Sequence, residues 1–449
     1  MAKNYHQRLM ILVILLTLLV VLIGKLFFRT ENPNILFYVY GSSVTIVIFV
    51  TFITVFFAYK DPYEKVRIRN FSKQKKPPYV SIILAVRNEE VVIGRCLDSL
   101  IAQTYPRRKI YVVNDASSDR TAEILDAYAA KGEITVIHRR RNVGKKRAIA
   151  TAMARATGDY FAFTDSDTVI ESDAIEKMVA VMYDNPKIGA VNGHVRALNA
   201  QDSLLTKIQD TWYEGQFSIR KSFESIFGAV TCVSGPLAMF RREAIYNYIP
   251  AWTHDTFLGK EFRFSTDRSL TNFVLSSASI GPKLKKRHQN SPFVRKKDYP
   301  IQDWLVVYTA CAHAWTVVPD TFHKVIRQQI RWKKSFIRSI FLTGRYFYKK
   351  PLPVALVYYL HILFVLLGPI ISFRHLIYLP LTGNLLSAWL YLAGICYVGL
   401  LFGLAYRLRI PGNYRWLYRP LMSILSTLVF SWLIFYSALT IKKSLWHRG

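Results

Sequence analysis

Hydrophobic and polar positions along the chain fall into distinct regimes. Residues 9–28 are almost wholly aliphatic, broken by Lys25, and residues 35–59 carry no charge before Lys60. Each run supplies the roughly 20 apolar residues that a helix needs to cross a bilayer core. Comparable runs return only at 352–372, 385–406 and 421–441. Between Lys60 and Lys350 the pattern is that of a folded aqueous domain.

Within that domain, Val80–Val86 (VSIILAV) is a continuous apolar run, as expected of a strand covered on both faces. It stops at Arg87-Asn88-Glu89-Glu90, after which residues 91–102 place Val92, Cys96, Leu97, Leu100 and Ile101 on one helical face. Strand patterns recur at 110–113, 134–137 and Tyr160–Phe163. Helical patterns separate them, one carrying Ile124, Leu125 and Tyr128, the other at 145–156. Strand and helix alternating four times predict an α/β fold, a mostly parallel sheet with helices on both faces, joined to an α-helical membrane region. Ligands of such sheets sit beyond the carboxyl ends of the strands. The polar clusters Arg87-Asn88-Glu89, Asp115, Asp165 and Asp167 fall there.

Charge changes the picture in one respect. The formal charge is +31, which in a soluble protein would point to nucleic acid. Here the basic residues mostly flank apolar runs, so membrane lipids are the expected partner and nucleic acid is not. Lys3 and Arg8 precede the first run; Lys60, Lys65, Arg67, Arg69, Lys73, Lys75 and Lys76 follow the second. The positive-inside rule makes both sides of this hairpin's mouth cytoplasmic, and the folded domain with them. No small-residue cleavage site follows the first run, so it reads as an anchor rather than a leader. The last run is cationic at both ends, with Arg407, Arg409, Arg415 and Arg419 before it and Lys442, Lys443 and Arg448 after. A re-entrant or in-plane segment is expected there. The organisation is thus a hairpin over 1–60, a cytosolic domain over 61–318, amphipathic interfacial helices over 319–350 and a membrane region over 351–449. The four cysteines have no metal-ligand spacing, and no disulfide is expected.

Four motifs can carry chemistry. Asp165-Ser166-Asp167 ends a strand, and two carboxylates on one rigid edge suit Mg²⁺ or Mn²⁺ beside a substrate phosphate; a plain turn capping the helix near Asp173 is the alternative. Lys145 follows Gly144 at a helix start, where it can face a diphosphate or simply be solvated among its basic neighbours. Asp267, in Ser265-Thr266-Asp267-Arg268, can act as a general base, or Ser265 or Asp267 can cap the next helix. Gln328-Gln329-Ile330-Arg331-Trp332 lies in the amphipathic stretch 319–348, which suits a membrane interface. Alternatively Trp332 stacks on a sugar with Arg331 near phosphate.

Taken in order, these motifs resemble glycosyltransferase family 2, and within it the processive membrane synthases. Stretches 142–146 (NVGKK), 227–241 (FGAVTCVSGPLAMFR), 257–259, 267–272 (DRSLTN) and 318–335 are similar to hyaluronan and chitooligosaccharide synthases. The resemblance covers essentially the whole chain. It implies a glycosyltransferase-A-type domain at the plasma membrane. It also implies a UDP-sugar donor (UDP-GlcNAc, with or without UDP-GlcA) and a growing polysaccharide as acceptor. By the same resemblance Asp115 contacts uracil, Asp165 the nucleotide and Asp167 the metal, while Lys145, Gln328 and Arg331 serve the diphosphate. Ser234, Gly235 and Pro236 line the acceptor end, Cys232 and Trp332 touch the terminal sugar, and Asp267 is the base. Trp446 and Arg448 resemble a C-terminal switch loop.

Three departures stand out. The expected Asp-Asp-Gly is Asn114-Asp115-Ala116, and Ser265-Thr266 replaces an acidic pair before Asp267. The basic stretch 283–298 looks inserted, and a solvated or lipid-facing loop is expected there. Other readings stay open: a chitin or poly-N-acetylglucosamine synthase, a non-processive transferase with a lipid-linked acceptor, or an inactive polymer-binding or export subunit.

Overall fold

The computed structural model describes residues 5–27, 35–67 and 77–443. Two apolar helices, α1 (Tyr5–Phe27) and α2 (Ile35–Ala58), lead the chain. The charge in the first apolar run is absorbed by its neighbour: Lys25 Nζ donates to Thr45 Oγ1 at 2.7 Å and to the Gly41 carbonyl at 3.0 Å.

An eight-stranded sheet follows, built from β1 (Val80–Val86), β2 (Arg108–Asn114), β3 (Thr135–His138), β4 (Tyr160–Phe163), β5 (Thr168–Ile170), β6 (Ile188–Ala197), β7 (Ala238–Arg241) and β8 (Leu305–Thr316). Its order is β3-β2-β1-β4-β7-β6-β8-β5. Strands β3, β2, β1 and β4 are mutually parallel, and β6 and β8 pair in parallel; β7 and β5 run against their neighbours. The sheet is therefore mixed but mostly parallel. The apolar run of β1 is buried, and its one hydroxyl, Ser81 Oγ, accepts from Gly158 N–H at 3.1 Å. Because β1, β2 and β4 run together, Asn88, Asp115 and Asp165 emerge at one edge.

Helices that position the site are α3 (Lys145–Arg155), α4 (Leu204–Gly215), α5 (Thr266–Leu275) and α6 (Phe322–Leu342). The basic stretch 283–298 is not a simple loop. Helix Ser277–Arg287 runs into it, Pro292–Arg295 adds a turn, and Phe293 packs on Tyr246 with ring centroids 5.1 Å apart. Lys285 supplies the anchor by pairing with Asp298 and donating to the Tyr299 carbonyl at 2.5 Å.

Toward the C-terminus, α7 (Leu352–Phe373) and α8 (Leu385–Arg409) join α1 and α2 as helices long and apolar enough to cross a membrane. The last apolar stretch is broken: Tyr414–Phe430 and Leu433–Leu439 bend by 41°. It lies along α6, where Lys334 Nζ donates to the carbonyls of Thr440 at 2.5 Å and Lys443 at 2.9 Å. Trp446 and Arg448 lie outside the described residues.

Candidate active site

A cavity of about 850 Å³ opens beside the sheet's polar edge, lined from β4, α4, the 231–238 loop, α5 and α6. On one side stands the acidic motif. Lys145 Nζ donates to Asp165 Oδ1, and Thr316 Oγ1 donates to Asp167 Oδ1 at 3.0 Å. The motif is held rigidly because β5, which follows it directly, pairs with the last residues of β8. It does not cap the helix near Asp173. Burial, then repulsion from Asp165, lifts the Asp167 carboxyl to about 6. Burial disfavours the Lys145 ammonium, but Asp165 more than offsets this and holds its pKa above the ordinary value.

Asp115 stands at the carboxyl end of β2. Its carboxylate is buried and accepts from the backbone N–H groups of Val143 at 2.8 Å and Gly144 at 2.9 Å. Gly144, at φ 85°, then turns the chain into α3 so that Lys145 opens the helix over the cavity.

Asp267 sits in the first turn of α5, and neither it nor Ser265 caps that helix. Ser265 is left-handed (φ 66°) and makes no capping bond. The Asp267 Oδ2 atom instead accepts from Gly235 N–H at 3.3 Å and from Cys232 Sγ at 3.7 Å. Gly235 also borders the acidic motif, since a Cβ built on it would lie 3.0 Å from Asp165 Oδ2. One glycine thus separates the carboxylates of Asp165 and Asp267.

The far wall is aromatic. Trp332 of α6 stacks on Trp212 of α4, and Gln328 and Tyr213 line the same wall. Arg331 faces Asp165 and Asp167; burial lowers its pKa and the two acids oppose that shift. Among the described candidates, Lys145, Asp165, Asp167, Cys232, Ser234, Gly235, Pro236, Asp267, Gln328, Arg331 and Trp332 line the cavity, and Asp115 does not.

The family model described as "Glycosyl transferase family 2" matches residues 81–249, the segment that carries the acidic motif and the Gly235 loop. A hyaluronan synthase of Streptococcus pyogenes is 28% identical over 421 residues, 91% of this chain and 92% of that relative. An N-acetylglucosaminyltransferase of Rhizobium leguminosarum bv. viciae is 34% identical over 269 residues, 59% of this chain and 57% of that relative. Residues 81–249 thus match glycosyl transferase family 2, and the chain is a glycosyltransferase similar to hyaluronan synthases over most of its length. Among solved structures, the mannosyltransferase PcManGT from Pyrobaculum calidifontis in complex with GDP-Man and Mn²⁺ aligns with a TM-score of 0.48 at 19% identity. It covers 91% of this chain and 100% of its own. The four apolar helices mark this glycosyltransferase as a membrane protein.

Several residues that line this cavity carry no signal in the sequence. Trp212 and Lys221 belong to a helical segment without a motif, yet both line the cavity. Arg220 lines it too, as do Arg268 and Lys333 from the stretches 267–272 and 318–335. Arg220 pairs with Glu224 at 3.4 Å and donates to His361 Nε2 at 3.0 Å. Arg268 and Lys333 make no ion pair among the described residues, and burial pushes Lys333 down to about 8.

Proposed function

We propose that this glycosyltransferase is a processive, inverting polymerase that builds a polysaccharide from UDP-sugars and passes it across the membrane, in the manner of a hyaluronan synthase. The observation that supports this best is the single cavity shared by Asp165, Asp167, Asp267 and the Trp212–Trp332 stack. Donor, base and a platform for the product's end would meet in that space. The basic flanks of the first two helices support a cytoplasmic catalytic domain at the plasma membrane.

In this reading Asp267 takes the proton from an acceptor hydroxyl as that oxygen attacks the anomeric carbon from the face opposite UDP. Lys145 exchanges its contact with Asp165 for the departing diphosphate, and Arg331 supplies a second cation there. Asp167 and Asp165 would hold Mg²⁺ or Mn²⁺. Two carboxylates with no third acidic or imidazole ligand clustered with them among the described residues suit a cation that completes its shell from substrate phosphate and water. When bound, that ion adds positive charge at the leaving group. Trp332 would retain the product between turnovers by stacking on its terminal sugar.

The cations Arg220, Arg268 and Lys333 favour an anionic product, hence UDP-GlcA beside UDP-GlcNAc. A poly-N-acetylglucosamine product is the alternative, supported by the likeness to the rhizobial N-acetylglucosaminyltransferase. The test incubates purified protein with Mn²⁺ and UDP-sugars, singly and in pairs, followed by digestion with specific glycosidases. Polymer only with two donors supports the anionic product; polymer from UDP-GlcNAc alone supports the alternative; absence of polymer sinks the reading. D267N should bind UDP and make no polymer.

A further inference from the structure

We infer that Lys221 is a positioning residue for acceptor transfer, clamping the 232–235 loop so that the loop holds Asp267 in place. This rests on the reading of Asp267 as the base. An ammonium has three protons to donate. Those of Lys221 go to Asn192 Oδ1, to the Cys232 carbonyl at 2.9 Å and to Ser234 Oγ at 2.6 Å. The cation also rests on the ring of Phe217, 4.1 Å from its centroid. With every proton committed inside the protein, Lys221 has none left for a substrate, although it lines the cavity.

The fold goes to some length to bring this lysine here. The helix begun by α4 continues as a π-helical turn over Gln216–Lys221 before returning to α-helix at Ser222–Ile226. An inserted π turn re-aims side chains and is common near functional sites. From the opposite side Asn192 of β6 grips the same loop: its Oδ1 accepts from Ser234 N–H at 3.1 Å, and its Nδ2 donates to the Leu237 carbonyl at 2.8 Å. A third hold comes from α5, where Thr271 Oγ1 accepts from Val233 N–H at 2.9 Å. The two groups this clamp presents to Asp267 are Gly235 N–H and Cys232 Sγ. Without the ammonium, the Cys232 carbonyl and Ser234 hydroxyl lose a buried donor and the loop relaxes around its remaining holds. The acidic motif is anchored elsewhere, through Lys145 and the β5–β8 pairing. Loss of Lys221 should therefore weaken transfer and spare donor binding.

The experiment uses the full chain reconstituted in lipid nanodiscs, comparing wild type with K221M, S234A and the double variant. Methionine keeps the length of the side chain over Phe217 and removes all three donors. K221M should lower kcat for polymer formation about tenfold or more while the KM for UDP-sugar stays within about threefold, the split expected when only transfer is impaired. S234A should lower kcat less, and the double variant should be no worse than K221M alone, since both remove one contact. An unchanged kcat in K221M, losses that add in the double variant, or a rise in KM matching the fall in kcat would each overturn the inference. If K221M does not fold, S234A and N192A carry the test with the lysine in place, and wild-type kcat in both overturns it. A wild-type protein that makes no polymer would instead sink the parent reading.

Discussion

Trp212 and Trp332 stack with ring centroids 5.3 Å apart and planes 16° from parallel, joining a helix packed on the sheet to the helix that carries the Gln-x-x-Arg-Trp motif. An aromatic pair of this kind contributes about 0.5–1.5 kcal/mol beyond its buried area. Each indole supports the other's orientation as well as any sugar on the outer face. Both W332A and W212A should therefore shorten the product, raising its dissociation by roughly two- to twelvefold on that energy scale. W332F should stay near wild type. Chain length by gel filtration, set against UDP release, checks this, because a shorter product with nearly normal UDP release separates retention from chemistry.

How much of this was legible from residues alone depends on whether the signal was contiguous. The strands β1 and β4 are unbroken apolar runs, and the acids that follow them land at the sheet edge because parallel strands end together. Strand β5, of three residues, is too short to show a period, and β7, as short as β4, stands outside the strand–helix alternation, so the antiparallel part of the sheet was hidden. Lys221 is one of 60 lysines and arginines and shows no periodic or motif context. Only tertiary structure brings it to Ser234 and Asn192. Asp115 is legible as a strand-end acid, but pattern cannot tell that its oxygens accept from the backbone N–H groups of Val143 and Gly144.

Gly235 has almost no room for a side chain on the acidic side. A Cβ there would stand 3.0 Å from one oxygen of Asp165 and 3.2 Å from the other, closer than ordinary contact. Asp165 is tethered by Lys145, so the strain falls on that ion pair and on the N–H that Gly235 gives Asp267. Small displacements at reacting groups are costly, and G235A should lower turnover about tenfold or more. Thermal unfolding should change little by comparison. A variant with normal kcat would show that the loop adjusts freely.

Asp167 sets a dependence on pH and metal. Folding raises its carboxyl from 3.8 to about 6, through burial first and Asp165 second. A carboxyl raised in this way binds its proton more tightly when folded. Its favourable contribution is complete below about pH 4 and is lost as pH climbs to about 6. At neutral pH the metal-free protein therefore carries a poorly tolerated charge that a divalent cation would relieve. D167N should raise the melting temperature of the metal-free protein and abolish the further rise on adding Mn²⁺. In the wild type the Mn²⁺ effect should fade as pH drops below 6. Thermal scans with and without Mn²⁺ across this range decide it, and a Mn²⁺ response retained by D167N would remove Asp167 from the metal site.

Asp210 ties the sheet to the C-terminal membrane region. Its carboxylate is fully buried and accepts from Arg196 at 2.6 and 3.2 Å, from Arg415 at 2.9 Å and from the Tyr406 hydroxyl of α8 at 3.2 Å. Removing one member of a buried ionic group leaves unpaired charge, at a cost of about 3–5 kcal/mol. D210N would strand two guanidinium groups against each other, whereas R415M leaves Arg196 on both oxygens. The melting temperature should therefore fall in the order wild type, R415M, D210N. Asp210 and Trp212 belong to the same helix, two residues apart on different faces, so loosening α4 moves the stacking wall. D210N should accordingly shorten the product even under conditions where it remains folded, and R415M should do so less. Equal melting temperatures for the two variants would mean that Asp210 is not the shared centre of this group.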